Sequence, residues 1–133
     1  MSVGILLITH DQVGHAIFDA ARTMLGMCPL KVELCGIRSS DDRDEMLHRA
    51  RTLASVLDGG DGVLILTDIF GATPSNIAQM MLDQSHRRRA VAGLNLPMLI
   101  RVLNYPRLSL DELAERALAG GCEGVLPCDR PQL

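Results

Sequence analysis

His10 and Asp68 are the side chains whose type and placement lend themselves most directly to chemistry. His10 follows an apolar, β-forming run, VGILLIT at 3–9, and Asp68 follows a second one, GVLILT at 62–67. In a parallel sheet covered by helices on both faces, ligands bind beyond the carboxyl ends of the strands, at the point where the winding reverses. If the two runs are neighbouring strands, His10 and Asp68 meet there. A carboxylate accepting a hydrogen bond from one imidazole nitrogen fixes the tautomer and leaves the other nitrogen as a nucleophile. It also stabilises the cation formed when the ring is substituted. The loop IFGATPSN at 69–76 adds an anion site. Gly71 and Ala72 permit close backbone approach, and N–H groups at a helix start near Thr73–Asn76 favour negative charge. Thr73 reads as the N-cap, with Pro74 in the first helical position. The candidate catalytic pair is therefore His10 and Asp68, and the candidate phosphate-binding set is Gly71, Ala72, Thr73 and Asn76. Together they point to phosphoryl transfer through a phosphohistidine. A single histidine after a strand is often only a capped surface residue, and the convergence of three features sets His10 apart.

The elements that must hold these residues follow from hydrophobic period. Residues 3–9 and 62–67 are continuously apolar, as in strands buried on both faces, and residues 30–37 (LKVELCGI) and 89–94 (RAVAGL) read as two further strands. Between them the period turns helical. Val13, Ile17, Ala20, Ala21, Met24 and Leu25 form one stripe that ends at Gly26. Met46, Leu47, Ala50, Leu53, Ala54 and Leu57 form another, headed by Asp42 with Glu45 and stopped at Gly59-Gly60. Ile77, Ala78, Met81 and Leu82 line a third helix. Residues 96–103 suggest a short fourth one, and Ser109 with Glu112 caps a fifth over 110–119, which Gly120-Gly121 ends. Residues 124–126 read as a short last strand. The alternation predicts a single α/β domain over 1–133: a doubly wound, mostly parallel sheet with helices on both faces, strand order 2-1-3-4, and a short C-terminal edge strand. Thr9, Asp11, Gln12, Thr67 and Asn95 also fall near strand ends.

Composition narrows the function classes. The chain has 133 residues, 47% hydrophobic and 22% charged, with a formal net charge of −3, which argues against nucleic-acid binding. Phe18, Phe70 and Tyr105 are the aromatic residues, too few for a base-stacking platform or a sugar-binding groove. The dinucleotide and P-loop glycine patterns are absent, as is the acidic pair of a receiver domain. Cys28, Cys35, Cys122 and Cys128 lack zinc spacing and read as buried free thiols, and the start lacks a signal peptide, so a cytoplasmic protein is expected. No metal or cofactor is expected. His10, Asp11 and His15 make a weak metal set, with His15 about a turn along the helix and facing solvent. His48 sits on a charged face. His86-Arg87-Arg88-Arg89 reads as a basic run at a helix end, with a phosphate or partner role secondary, and Met24, Met27, Met80 and Met81 read as core fillers.

Three blocks, ITHD around His10, TDIFGATPSN at 67–76 and GLNLPML at 93–99, carry a resemblance over about residues 2–126. The chain resembles the IIA component of the mannose family of the phosphoenolpyruvate-dependent sugar phosphotransferase system. The resemblance implies that His10 accepts a phosphoryl group from the phosphocarrier HPr and passes it to a IIB component, with Asp68 orienting the imidazole. It also implies a homodimer whose C-terminal strand crosses to the partner, and a membrane link only through a permease complex; no nucleic-acid partner is expected from the acidic composition. Two positions depart from the family pattern. Asp11 stands where many members have glycine. Ser75 stands where many have an aromatic residue that would pack at a docking surface. The same features also fit a stand-alone regulatory phosphohistidine module that binds a signalling protein, or a phosphoryl donor for a dihydroxyacetone kinase.

Overall fold

The computed structural model describes residues 2–129. Strands and helices alternate in the order β1 (Gly4–His10), α1 (Val13–Leu25), β2 (Val32–Ile37), α2 (Arg43–Leu57), β3 (Val63–Thr67), α3 (Thr73–Met80) and β4 (Arg88–Ala92), followed by α4 (Leu96–Leu103) and α5 (Leu110–Glu123). All strand pairs are parallel, and the sheet order is β2-β1-β3-β4. Ile8 lies opposite Cys35 and Thr67, and His10 lies opposite Ile37, so the carboxyl ends of the first three strands finish side by side.

Side-chain alternation along the strands divides the core. Ile5, Leu7, Leu64, Leu66 and Val91 point into one apolar layer with Ala21 of α1, Met98 to Leu103 of α4, and Leu113 and Ala117 of α5. Leu6, Ile8, Cys35, Ile37, Val63 and Ile65 point into the other, against Met46, Ala50 and Ala54 of α2 and Ile77 and Ala78 of α3. Because both faces are covered, β1 and β3 carry continuous apolar runs with nothing polar before Thr9 and Thr67. Caps fix where several helices begin. Asp42 accepts from the Glu45 N–H, Asn95 from the Met98 N–H, and Ser109 and Glu112 form a full capping box. No described helix is long and apolar enough to cross a membrane.

The last element differs from its sequence expectation. Gly120-Gly121 does not end α5, which runs on to Glu123. The two glycines are the price of a close helix–helix approach: a Cβ on Gly120 would sit 2.6 Å from the Arg101 Cβ, and one on Gly121 2.8 Å from the Met98 Cε of α4. The helix therefore takes up the residues before 124, and residues 124–126 form no edge strand. Val125 and Leu126 are left 76% and 73% exposed.

The methionines and cysteines are also split rather than uniformly internal. Met81 is buried, but Met24, Met27 and Met80 are exposed, since the inward stripe of α1 runs through Ile17, Phe18, Ala21 and Leu25 and leaves Met24 off it. Cys35 is buried, and desolvation pushes its thiol pKa up; Cys28 is half-buried, while Cys122 and Cys128 are exposed.

Candidate active site

β1 lies between β2 and β3, so the end of β1 receives side chains from two neighbours. On the β3 side, the ladder stops at Ile8 opposite Thr67, and Asp68 comes next. Its carboxylate takes over where the sheet ends. Asp68 Oδ2 accepts from the His10 backbone N–H at 2.9 Å and lies 2.8 Å from His10 Nδ1, while Oδ1 accepts from the Ile69 N–H at 3.1 Å. An ionised carboxylate can only accept, so Nδ1 carries the proton and Nε2 keeps its lone pair. The His10 side chain is 44% exposed and that of Asp68 13%. One carboxylate oxygen thus holds both the backbone and the ring of His10, and in the neutral imidazole it leaves Nε2 as the nitrogen with the lone pair.

The segment after His10 is bent sharply. Asp11 has φ +42°, a left-handed conformation that non-glycine residues seldom adopt, and its N–H donates to the Ile37 carbonyl at 2.9 Å. The bend lays the Asp11 carbonyl against Gly36, where a Cβ would collide with it. Gln12 supplies no side-chain cap to α1. Thr9 does that work: its buried Oγ1 accepts from the Gly14 N–H at 2.8 Å. Asn95 is likewise structural, accepting from Met98 and donating from Nδ2 to the Gly121 carbonyl at 3.2 Å.

A cavity of about 270 Å³ opens beside the histidine, lined by His10, Asp11, Ile37, Arg38, Ser39, Asp41, Arg43, Thr73 and Pro74. Of the residues expected to hold phosphate, it brings Thr73 to His10. Gly71, Ala72 and Asn76 are not part of its wall. Gly71 takes φ +89° to turn the chain into α3. The N-cap of α3 is Ala72 rather than Thr73, with no side-chain cap bond, because the helical dihedrals already begin at Thr73 and place Pro74 second. The Thr73 hydroxyl is therefore not engaged in capping. The Asn76 N–H already donates to the Ala72 carbonyl at 2.9 Å. Ser75 is 3% exposed, so this position lies within the packing and not on a docking surface.

Arg38 and Arg43 also line this cavity, and no motif of the sequence singles them out. The rule that found His10 and Asp68 also applies to the second strand, where Arg38 immediately follows Ile37. The remaining candidates scatter. His15 is half-buried against Gly36 instead of facing solvent, and its Nδ1 has no partner among the described residues. No cluster of three or more His, Cys, Asp or Glu side chains suited to a metal occurs among the described residues. The basic run divides three ways. His86 pairs with Asp83, Arg88 donates to the Met81 carbonyl at the end of α3, and Arg89 pairs with Asp111.

The four-stranded parallel sheet of order 2-1-3-4 thus brings a histidine and an aspartate into contact at its switch point. The family described as "PTS system fructose IIA component" matches residues 4–118, and the chain belongs to it. The chain is 28% identical over 127 residues to a "PTS system mannose-specific EIIAB component" of Escherichia coli, an alignment covering 94% of this chain and 39% of that protein. It is 48% identical over 67 residues to a "PTS system fructose-specific EIIA component" of Bacillus subtilis, covering 50% of this chain and 46% of that one. The chain thus spans less than half the length of the mannose-specific relative. Among solved structures, a "Mannose/sorbose specific IIA subunit of phosphotransferase system" from Enterococcus faecalis superposes with a TM-score of 0.84 at 27% identity, covering 100% of this chain and 99% of that one.

Proposed function

We propose that this chain is a phosphoryl carrier in sugar transport, accepting a phosphoryl group on His10 Nε2 from phosphorylated HPr and handing it to a IIB component. The observation that carries this reading is the 2.8 Å contact between His10 Nδ1 and Asp68 Oδ2, which leaves Nε2 as the free nucleophile. In the step, the Nε2 lone pair forms a bond to phosphorus as the bond between phosphorus and the donor nitrogen breaks. The donor keeps that electron pair. The proton stays on Nδ1, and the positive charge that the substituted ring acquires faces the Asp68 carboxylate. At the start of α3, the Thr73 hydroxyl is the group suited to a phosphoryl oxygen. Transfer out is the reverse chemistry toward another nucleophile, so specificity resides in the protein partners.

The reading includes a homodimer. β4 pairs with β3 along one edge and has no strand on the other among the described residues, and Val125 and Leu126 project apolar side chains from an unpaired segment. A second copy lending that segment to the open β4 edge would bury both features.

Incubation with phosphoenolpyruvate, enzyme I and HPr is expected to label the protein at a site that is stable to alkali and labile to acid. The label should vanish in His10→Ala. Full histidine labelling of that variant would overturn the assignment.

A further inference from the structure

His10 is flanked by opposite charges. The carboxylate of Asp68 comes from the end of β3 on one side. From the end of β2, on the other side, comes Arg38, one residue beyond the Ile37 that sits opposite His10. Arg43, the first residue of α2, completes the same wall of the 270 Å³ cavity. Neither guanidinium forms an ion pair with any described residue; the side-chain contact found for Arg43 is a long one of 4.0 Å to Met80 Sδ. Two carboxylates share the cavity. Asp41 accepts the Arg38 backbone N–H at 2.8 Å, which ties it to the loop, and Asp11 lies on the bend. The four formal charges cancel, so the cavity carries no standing excess until an anion enters.

Arg43 is also badly placed for stability. A cation in the first turn of a helix opposes the macrodipole, and this turn recruits Asp44 and Glu45, the kind of residue the dipole favours. A guanidinium in that position, on the wall of the cavity that His10 also lines, has a use other than holding the fold.

We propose that Arg38 and Arg43 form a cation clamp for the phosphoryl group carried by His10, an anion subsite contributed by β2 and α2. This rests on His10 being the phosphoryl acceptor. Guanidinium groups pair with phosphoryl oxygens through charge-assisted and often bidentate hydrogen bonds. Asp68 balances the cationic ring, and the arginines balance the dianionic group attached to it. The clamp therefore stabilises the phosphorylated form relative to the free form, which shifts the position of the transfer equilibrium. A basic patch that served only to dock HPr would speed the forward and reverse steps alike and leave the equilibrium where it was.

The equilibrium constant for transfer between phosphorylated HPr and the full chain is measured for the wild type, R38Q/R43Q and R38K/R43K. The double glutamine variant is expected to lower it about tenfold, and the lysine variant to recover part of that loss. Both arginines are exposed, so the variants retain the fold. An equilibrium constant unchanged in R38Q/R43Q overturns the clamp while leaving His10 phosphorylation standing. If the wild type takes no phosphoryl group at all, the carrier reading fails and a second measurement decides the clamp on its own. Inorganic phosphate is titrated into the unphosphorylated protein while the arginine Nε–H resonances are followed by NMR. Phosphate-dependent shifts of Arg38 and Arg43 support the clamp, and their absence at saturating phosphate overturns it.

Discussion

Two histidine–aspartate pairs in this protein have almost the same length and entirely different settings. His10 Nδ1 lies 2.8 Å from Asp68, and His86 Nδ1 lies 3.0 Å from Asp83. The first joins residues 58 positions apart, held at the ends of two buried strands; the second joins residues three apart in a surface loop. Asp68 is 13% exposed and Asp83 44%. Asp83 is well satisfied, since it also accepts the Ser85 and His86 backbone N–H groups, each at 2.9 Å. Its bonds therefore serve to shape a turn. Those of Asp68 fix the ring of a residue that borders a cavity containing two free guanidinium groups. A paired imidazole becomes a site through where the pair is anchored and what it faces, and the pairing alone confers nothing.

The largest expected effect separates the two histidines. His86→Ala should accept label from phosphorylated HPr at the wild-type rate, in contrast to the complete loss expected for His10→Ala. A His86→Ala protein that folds but fails to label would break the comparison. The carboxylates come next. Asp68→Asn should slow transfer by up to about 10⁴-fold, the order of loss when the carboxylate that fixes a reacting imidazole's tautomer becomes an amide, whereas Asp83→Asn should leave the rate unchanged. Equal rates for Asp68→Asn and the wild type, measured by rapid quench, would remove Asp68 from its role.

The His10–Asp68 encounter was legible in the sequence because it depends on periodicity. Continuous apolar runs identified β1 and β3 as doubly covered strands, and the order 2-1-3-4 makes their ends neighbours. What escaped depends on close approach in three dimensions. Gly120-Gly121 has the composition of a helix stop, yet serves as a contact surface for α4. Thr73 is a better cap than Ala72 in isolation, but the turn set by Gly71 starts the helix one residue after Ala72. Met24 continues the pattern of α1 in sequence but falls outside the stripe that the sheet covers. Arg38 and Arg43 are less legible, because LKVELCGI at 30–37 has the alternation of a half-exposed strand and Arg43 belongs to the helix that follows.

Backbone strain gives a third contrast. Beside His10, Asp11 is the one described non-glycine residue with positive φ, and no such residue lies near His86. Aspartate tolerates this region better than most side chains, and glycine tolerates it freely. Asp11→Val should therefore lower stability by about 1–2 kcal/mol. Asp11→Gly, the residue common in the family at this position, should match or exceed the wild type by roughly 0.5 kcal/mol once the entropy of glycine is set against the relief. Urea unfolding of the three proteins checks the order, and equal midpoints would show that the bend stores no strain.

The smallest effect belongs to the surface pair and is a matter of pH. The hydrogen bond from the His86 side chain, followed by those from the Ser85 and His86 backbone, holds the Asp83 carboxyl below its ordinary value of 3.8. A carboxyl with a depressed folded-state pKa favours the folded state above its unfolded value, and this contribution fades as pH falls through the lower, folded value. Thermal melts of wild type and Asp83→Asn should therefore differ by a small, nearly constant amount from about pH 6 down to about pH 5. The gap should shrink below 3.8 and close in stronger acid. The carboxylate is open to screening by solvent, so added salt should narrow the gap at every pH where it is present. A gap that persists undiminished in strong acid would mean that the asparagine disturbs the turn itself, and the pair would then owe its geometry to the loop backbone rather than to charge.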